Sequence, residues 1–180
     1  EKAGISSEAI MFSSNNTPAA EFRKARELGA IINLDDITHI DFLVEHAGMP
    51  ELICFRYNPG PLRGGNAIIG VPQEAKYGFT REQLFEGYKK AREKGAKRFG
   101  LHTMVVSNEL DPYSFIGTAE MLFDLAVDLW QEAGIKLEFV NFGGGIGIPY
   151  KPEDQAVDLH FLSKEIKREY DEKVKAAGLH

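Results

Sequence analysis

The apolar residues of this chain follow two alternating patterns. Short runs rich in β-branched and aromatic residues predict buried strands, and longer stretches with apolar residues three and four apart predict amphipathic helices. No repeat with a long fixed period interrupts this alternation. The predicted strands lie at residues 10–12, 30–34, 52–55, 99–106 and 137–142, and the third continues into Arg56 and Tyr57.

Helix boundaries are marked by capping residues and glycines. Thr17 is the expected N-cap of the first helix, with Pro18 at its first position, and Thr80 with Gln83 forms a capping box for the third. Gly134 lies just past the fourth helix, on whose buried face Trp130 is expected. The five predicted helices cover about residues 18–28, 36–47, 80–94, 114–133 and 153–177.

The strict alternation of strands and helices predicts an α/β fold with a parallel sheet. Two arrangements remain open, a doubly wound open sheet and a TIM-type (β/α) barrel. A complete barrel has eight strand–helix units and about 250 residues, whereas this chain has 180 residues. If the fold is a barrel, we therefore expect an incomplete one, with about five parallel strands and five or more helices.

Composition and charge exclude several classes of function. The chain has 21 Lys and Arg against 27 Asp and Glu, a net charge of −6 without a basic block, which argues against nucleic-acid binding. Its apolar runs fall far short of the roughly 20 residues that span a bilayer, so we expect no membrane partner. Cys54 is the single cysteine, which excludes an internal disulfide framework and a cysteine-rich zinc site and fits a reducing compartment.

Polar residues follow each predicted strand, and parallel strands bring such positions to one edge of the sheet. A ligand binds at that edge in either arrangement, although polar residues in ordinary loops give the same pattern. The clusters are residues 13–16, Asn33 with Asp35, Arg56 with Asn58, residues 102–108, and Asn141 with residues 143–145.

A glycine run after the fifth strand is the most specific of these clusters. Gly143, Gly144 and Gly145 have no Cβ to block a close approach, so their amides can converge on a phosphate. The dinucleotide fingerprint is excluded, because Ile148 replaces its last glycine and Pro149 disrupts the helix start. A Walker loop is excluded because no Gly-Lys-Ser/Thr follows. A tight turn without a ligand is the alternative interpretation.

Other residues that could carry chemistry also have simpler structural explanations. His102 lies within a predicted strand, where a packed core histidine is commoner than a ligand or base, and no other histidine has metal-ligand spacing. Ser107 could donate a hydrogen bond to a phosphate. Lys76 could form a Schiff base or remain a solvated surface lysine, and Cys54 fits a small buried hydrophobe.

Taken in order, several of these pieces resemble the barrel domain of the diaminopimelate decarboxylases. These are pyridoxal-phosphate enzymes with the alanine-racemase type of fold. The resemblance covers nearly the whole chain and implies that residues 1–180 are a middle fragment of a pyridoxal-phosphate-binding (β/α) barrel domain. The matching pieces are residues 12–16, 29–35, 56–60, 75–78, 100–108 and 143–150, of which the last, ending in Gly-Ile-Pro-Tyr, is the most specific.

The resemblance also implies a cofactor and the residues that hold it. The cofactor is pyridoxal 5′-phosphate, which serves as an electron sink when the substrate loses CO₂. Residues 143–145 match the family's phosphate-cradling glycines, and Ser107 matches its phosphate-binding serine. His102 matches the first histidine of the family's Leu-His-x-His motif, and Arg56 matches an arginine near the cofactor.

The chain departs from the family pattern at Met104, which stands where the family has a histidine stacked on the cofactor ring. Three family features are not found in the 180 residues: the segment with the Schiff-base lysine, the Glu-Pro-Gly-Arg type loop, and the C-terminal β-domain. We therefore expect no catalytic residue of the family within the chain. We also expect neither activity nor a Schiff base with pyridoxal phosphate from the chain alone.

For the parent enzyme, the resemblance implies conversion of meso-diaminopimelate to L-lysine and CO₂ in lysine biosynthesis. It also implies a cytoplasmic homodimer with a small amino-acid substrate. One alternative is a decarboxylase of ornithine, lysine or carboxynorspermidine, because the substrate contacts lie mostly outside this segment. The other is a non-catalytic phosphate-binding α/β module with an open sheet, which would fold as a cooperative monomer.

Overall fold

A computed structural model describes residues 3–62 and 77–179 of the 180-residue chain. Most of the predicted loop over residues 58–79 lies outside the described residues, and so does Lys76, the conceivable Schiff-base lysine. The chain divides into two compact units. The first contains the sheet and three helices, and the second contains two helices with the segments that flank them.

Within the described residues, five strands form one parallel sheet, as predicted. A doubly wound sheet reverses its strand order at a switch point, whereas a barrel adds each new strand beside the previous one. The strands here lie side by side in chain order, which is the winding of a barrel. They are β1 (Met11–Ser13), β2 (Ile31–Leu34), β3 (Leu52–Tyr57), β4 (Arg98–Thr103) and β5 (Leu137–Asn141).

The sheet is strongly curved. Met11 and Asn141 lie on the first and last strands, yet Asn141 Nδ2 is 3.9 Å from Met11 Sδ. In a flat sheet, four strand spacings would separate these strands by about 19 Å. The two side chains meet because both project from the concave face. Gly100 leaves space on this face for the Phe139 ring, because a Cβ at position 100 would lie 2.2 Å from that ring.

The helices match the predicted number within the described residues. Thr80 and Gln83 form the predicted capping box, in which each side chain bonds the other residue's amide. A π-helical turn, Asp171–Lys175, continues the last helix. The five helices are α1 (Ala19–Leu28), α2 (His39–Ala47), α3 (Arg81–Glu93), α4 (Pro112–Ala133) and α5 (Leu159–Tyr170).

The core of the first unit lies between α3 and the convex face of the sheet. Phe55 stacks on Phe79 and lies against Tyr88, with ring centroids 4.6 Å apart in both pairs. Gly87 allows this close packing, because a Cβ there would lie 2.9 Å from the Phe79 ring. The buried Tyr88 hydroxyl donates a hydrogen bond of 2.6 Å to the carbonyl of Gly100, which ties α3 to β4.

The second unit has its own apolar cluster between α4 and α5. Phe115 and Ile116 of α4 pack with Leu162 of α5, and Val105 and Val106 from the segment after β4 complete the cluster. The cluster and the helix pair give this unit a core of its own.

The fourth strand is shorter than predicted. It ends at Thr103, whose hydroxyl donates to the Tyr57 carbonyl at 2.8 Å, rather than at Val106. Val105 and Val106 pack in the cluster of the second unit instead. A short apolar run predicts burial, but it does not tell whether the buried residues pair in a sheet.

Several helix details also differ from the predictions. Pro18, not Thr17, is the N-cap of α1, and α5 begins at Leu159 behind the capping carboxylate of Asp158 rather than near residue 153. The second helix begins three residues later than residue 36, and the fourth two residues earlier than residue 114. Trp130 was expected to be buried, but 42% of it is exposed.

Replacing Tyr88 with Phe tests the link between α3 and β4. The change removes a buried hydroxyl and its hydrogen bond, so we expect the free energy of unfolding to fall by about 1–2 kcal/mol. Urea titration followed by circular dichroism measures this. The matched control is Tyr113→Phe, because Tyr113 is 67% exposed and its variant should stay within about 0.5 kcal/mol of the wild type. Equal stability of the two variants would contradict the assignment.

Candidate functional site

The carboxyl edge of the sheet brings the predicted residues of the first unit together. Strand register places Arg56 beside His102, and His102 beside Asn141. Residues in register on parallel strands project from the same face, so these three side chains form a row. Arg56 and His102, which the sequence predicts as binding residues, are thus neighbours on the concave face.

An ion pair and a cation–π contact help to hold Arg56 in place. Its Nη1 lies 3.6 Å from the Asp35 carboxylate, and its guanidinium lies 5.4 Å from the centre of the Tyr77 ring. Only 19% of the Arg56 side chain and 4% of the Asp35 side chain are exposed. The ion pair is therefore largely desolvated, and it fixes a positive charge at the edge of the sheet.

Buried acceptors on β2 and just after it are incompletely satisfied. Burial raises the pKa of Asp35, and the nearby Arg56 charge opposes this effect. Asn33 Nδ2 donates to Ser13 Oγ at 2.8 Å. However, Asn33 Oδ1 and Asp35 Oδ1 are buried without a hydrogen-bond partner among the described residues. Such groups are costly unless a donor reaches them, so this edge has capacity to bind a polar ligand.

His102 is neutral and hydrogen-bonded in this row. Its Nδ1 lies 3.3 Å from Asn141 Oδ1. Burial lowers the pKa of His102 below the ordinary value of 6.5, and Arg56 adds to this effect, while the hydrogen bonds to Asn141 oppose it. The ring is half-buried at the strand end rather than enclosed in the core. It can therefore exchange a hydrogen bond with a ligand at the edge.

In the second unit, the glycine run forms a turn whose backbone conformation requires glycine. Gly143, Gly144 and Gly145 have φ values of 85°, 104° and 80°. A Cβ on Gly145 would lie 2.2 Å from the Val106 carbonyl oxygen and 3.1 Å from the Ser107 Cα. The turn thus packs directly on the chain at Ser107, and the structure brings together the predicted phosphate-binding residues of this unit.

Hydrogen bonds anchor the far side of the turn. The Glu109 amide donates to the Gly145 carbonyl at 2.9 Å, and the Gly147 amide donates to the Glu109 carbonyl at 2.8 Å. The Gly147 amide is therefore used by the protein itself. A Cβ on Gly144 would have no atom within 4 Å, so that side of the turn is open. Open space beside glycines of positive φ is a setting in which main-chain amides can hold an anion.

Tyr77 contacts Arg56 at the carboxyl edge of the sheet, and this contact is not predicted from the sequence. It precedes Gly78, whose φ is 97° and whose amide donates to the Asp35 carbonyl at 2.9 Å. A Cβ on Gly78 would lie 2.9 Å from the Asn58 amide nitrogen, so glycine is needed there. The Tyr-Gly pair after a long loop was a usable signal, because a forced turn holds the ring beside Arg56. Asn33, Asp35 and Asn141 were identified only as polar residues after strands.

Cys54 is a small buried residue, as predicted from the sequence. It is fully buried on the concave face, and burial raises the pKa of its thiol well above the ordinary value.

In the described parts of the chain, no three His, Cys, Asp or Glu side chains are placed to hold a metal ion. Nor does any helix there combine the length and apolar character needed to cross a bilayer.

The chain matches the family model described as pyridoxal-dependent decarboxylase, pyridoxal binding domain, over residues 1–179. Protein TabA of Pseudomonas amygdali pv. tabaci is 33% identical over 168 residues, which are 93% of this chain and 39% of that protein. Diaminopimelate decarboxylase of Methanothermobacter thermautotrophicus is 32% identical over 179 residues, which are 98% of this chain and 42% of that protein.

A solved structure shows the same similarity. The crystal structure of diaminopimelate decarboxylase from M. jannaschii in complex with L-lysine matches with a TM-score of 0.82 and 27% identity, covering 96% of this chain and 42% of that one. The chain spans about two fifths of the length of these curated relatives. The match over residues 1–179 shows that the chain belongs to the pyridoxal-dependent decarboxylases, matching the model of their pyridoxal binding domain.

Proposed function

We propose that the protein containing this chain is a diaminopimelate decarboxylase, which converts meso-diaminopimelate to L-lysine and CO₂ with pyridoxal 5′-phosphate. The observation that most supports this cofactor is the turn of three glycines with positive φ, which packs against Ser107. Relatives named diaminopimelate decarboxylase at 32% and 33% identity support the substrate. In lysine biosynthesis, this reaction would be the step that forms lysine.

The residues of the second unit suit the phosphate end of the cofactor. Amides of Gly143 and its two following glycines would hold the phosphate, and the Ser107 hydroxyl would donate a further hydrogen bond. When bound, pyridoxal phosphate supplies an electron-poor ring that accepts the electrons of the broken C–CO₂ bond. The chain's contribution is to hold and orient that group.

The residues of the first unit suit a charged and hydrogen-bonding ligand. Arg56 presents a cation fixed by Asp35 and Tyr77, which can bind and orient an anionic or electron-rich group. His102 stays neutral near pH 7 because its pKa is lowered, so it can accept or donate one hydrogen bond without adding charge. The family resemblance supports placing both residues near the cofactor.

The proposal extends to organisation, assembly and location. Because the chain spans 39% and 42% of two relatives, we propose that residues 1–180 are part of a longer barrel domain, with the Schiff-base lysine and a β-domain elsewhere in the protein. We further propose a homodimer in the cytoplasm, which the family resemblance supports.

Substitution of Gly145 tests the phosphate site. In Gly145→Ala the Cβ collides with the Val106 carbonyl and the backbone is strained, so the turn must move. We expect the dissociation constant for pyridoxal 5′-phosphate to rise at least about tenfold. Isothermal titration calorimetry on the 180-residue chain measures it.

Gly134→Ala is the matched control for this substitution. Gly134 also has a positive φ, of 61°, but it lies at the end of α4 with open space around its Cβ position. The control therefore carries the same backbone strain and should keep the affinity of the wild type. Pyridoxal, which lacks the phosphate, should bind the wild type and Gly145→Ala equally. An equal loss of pyridoxal phosphate affinity in both glycine variants would reject the turn as the phosphate site.

The substrate is tested with the polypeptide encoded by the complete reading frame that contains these 180 residues. With pyridoxal phosphate, we expect release of CO₂ and lysine from meso-diaminopimelate. Ornithine, lysine and carboxynorspermidine should have kcat/KM values at least about 100-fold lower. A higher kcat/KM for one of these three would replace diaminopimelate as the substrate. Tight cofactor binding without turnover of any of the four would favour the non-catalytic module.

A further inference from the structure

Two contacts on the concave face bear on which way the side-chain amide of Asn141 points. Its Oδ1 lies 3.3 Å from His102 Nδ1, and its Nδ2 lies 3.9 Å from the sulfur of Met11. A thioether sulfur accepts hydrogen bonds but cannot donate them. The amide NH₂ therefore faces Met11, and the amide oxygen faces His102.

This orientation determines the tautomer of His102. An amide oxygen only accepts, so His102 Nδ1 must carry the proton that joins it to Asn141. With the amide reversed, its oxygen would face the Met11 sulfur, and two acceptors would meet without a proton. In a neutral imidazole with Nδ1 protonated, Nε2 carries a lone pair.

The charges around the ring keep it from taking a second proton. The row holds Arg56 on β3 beside His102, and β5 contributes the uncharged Asn141. Asp35 is the acidic group at this edge, and it is paired with Arg56. Burial and the Arg56 charge both lower the pKa of His102. The contact with the Asn141 side chain is made by Nδ1 and not by Nε2.

We propose that Asn141 is a positioning residue that holds His102 as the neutral Nδ1–H tautomer, so that Nε2 accepts a hydrogen bond from a hydroxyl or N–H group of the bound ligand. The identity of that ligand as pyridoxal phosphate rests on the proposed function. The tautomer itself depends only on contacts within the first unit.

Nitrogen NMR of the 180-residue chain tests the tautomer without any cofactor. The chain has 5 histidines, so ¹⁵N labelling with long-range ¹H–¹⁵N correlation gives few ring signals, and His102→Gln assigns those of His102. We expect a protonated Nδ1 and an unprotonated Nε2 near pH 7. Lowering the pH should protonate His102 only below the ordinary histidine pKa of 6.5, because burial and the Arg56 charge both lower its pKa.

Two variants of Asn141 separate positioning from simple packing. Asn141→Leu keeps the size but removes the acceptor, so the Nδ1–H tautomer should lose its preference. Asn141→Asp restores an acceptor and adds a charge, so it should keep Nδ1 protonated and raise the pKa of His102 by about one to three units. The matched control is Asn33→Leu, another asparagine of the concave face, which bonds Ser13 and should leave the His102 signals unchanged.

Each outcome bears on a different part of the proposal. A wild-type ring protonated at Nε2, or an unchanged tautomer in Asn141→Leu with a native-like amide spectrum, would overturn the role of Asn141. Added pyridoxal phosphate should move the Nε2 resonance in chain saturated with the cofactor, and an unmoved resonance would overturn the ligand contact. Failure of the chain to bind pyridoxal phosphate at all would count against the proposed function and leave the tautomer result standing.

Discussion

The curvature of the parallel sheet is the constraint on which the first unit's chemistry depends. In a flat sheet the first and last strands could not share a contact, yet here Asn141 reaches Met11. The concave face can bend because its centre is small: Cys54 and Gly100 lie side by side, and the Phe139 ring fills the space that a Cβ on Gly100 would occupy. A side chain at position 100 would collide with the Phe139 ring, so the packing at this part of the concave face depends on glycine.

Desolvation then decides which groups at the edge carry charge. Burial disfavours every ionised form, so it raises the pKa of Asp35 and lowers that of His102. Arg56 opposes the first shift and adds to the second, since a cation favours a carboxylate and disfavours an imidazolium. One fixed cation beside one neutral imidazole is therefore the stable state of this edge.

Much of the fold could be predicted from the sequence, because its signals are local. Strand and helix periodicity, the Thr80 capping box and the glycine after α4 depend on residues a few positions apart. The errors arose where tertiary packing decides. The end of β4 depends on Val106 joining a cluster with α4 and α5, and the exposure of Trp130 depends on what else covers α4.

The candidate site likewise has residues that could be predicted from local sequence signals and contacts that could not. The glycine run is visible in the sequence because the lack of a side chain is itself the signal. The pairing of Arg56 with Asp35, the Tyr77 contact and the bond from His102 to Asn141 require strand register, which no local pattern supplies.

Positions within the second unit differ in how much variation their chemistry tolerates. The glycine turn binds through its main chain, and a residue with a Cβ at Gly145 would meet the Val106 carbonyl, so no other residue type meets both its conformational and its packing requirement. A position that takes part through side-chain packing alone is less restricted, because several apolar side chains, a methionine thioether among them, can fill the same space. In the glycine turn, by contrast, backbone conformation and close packing together fix the residue type at Gly145.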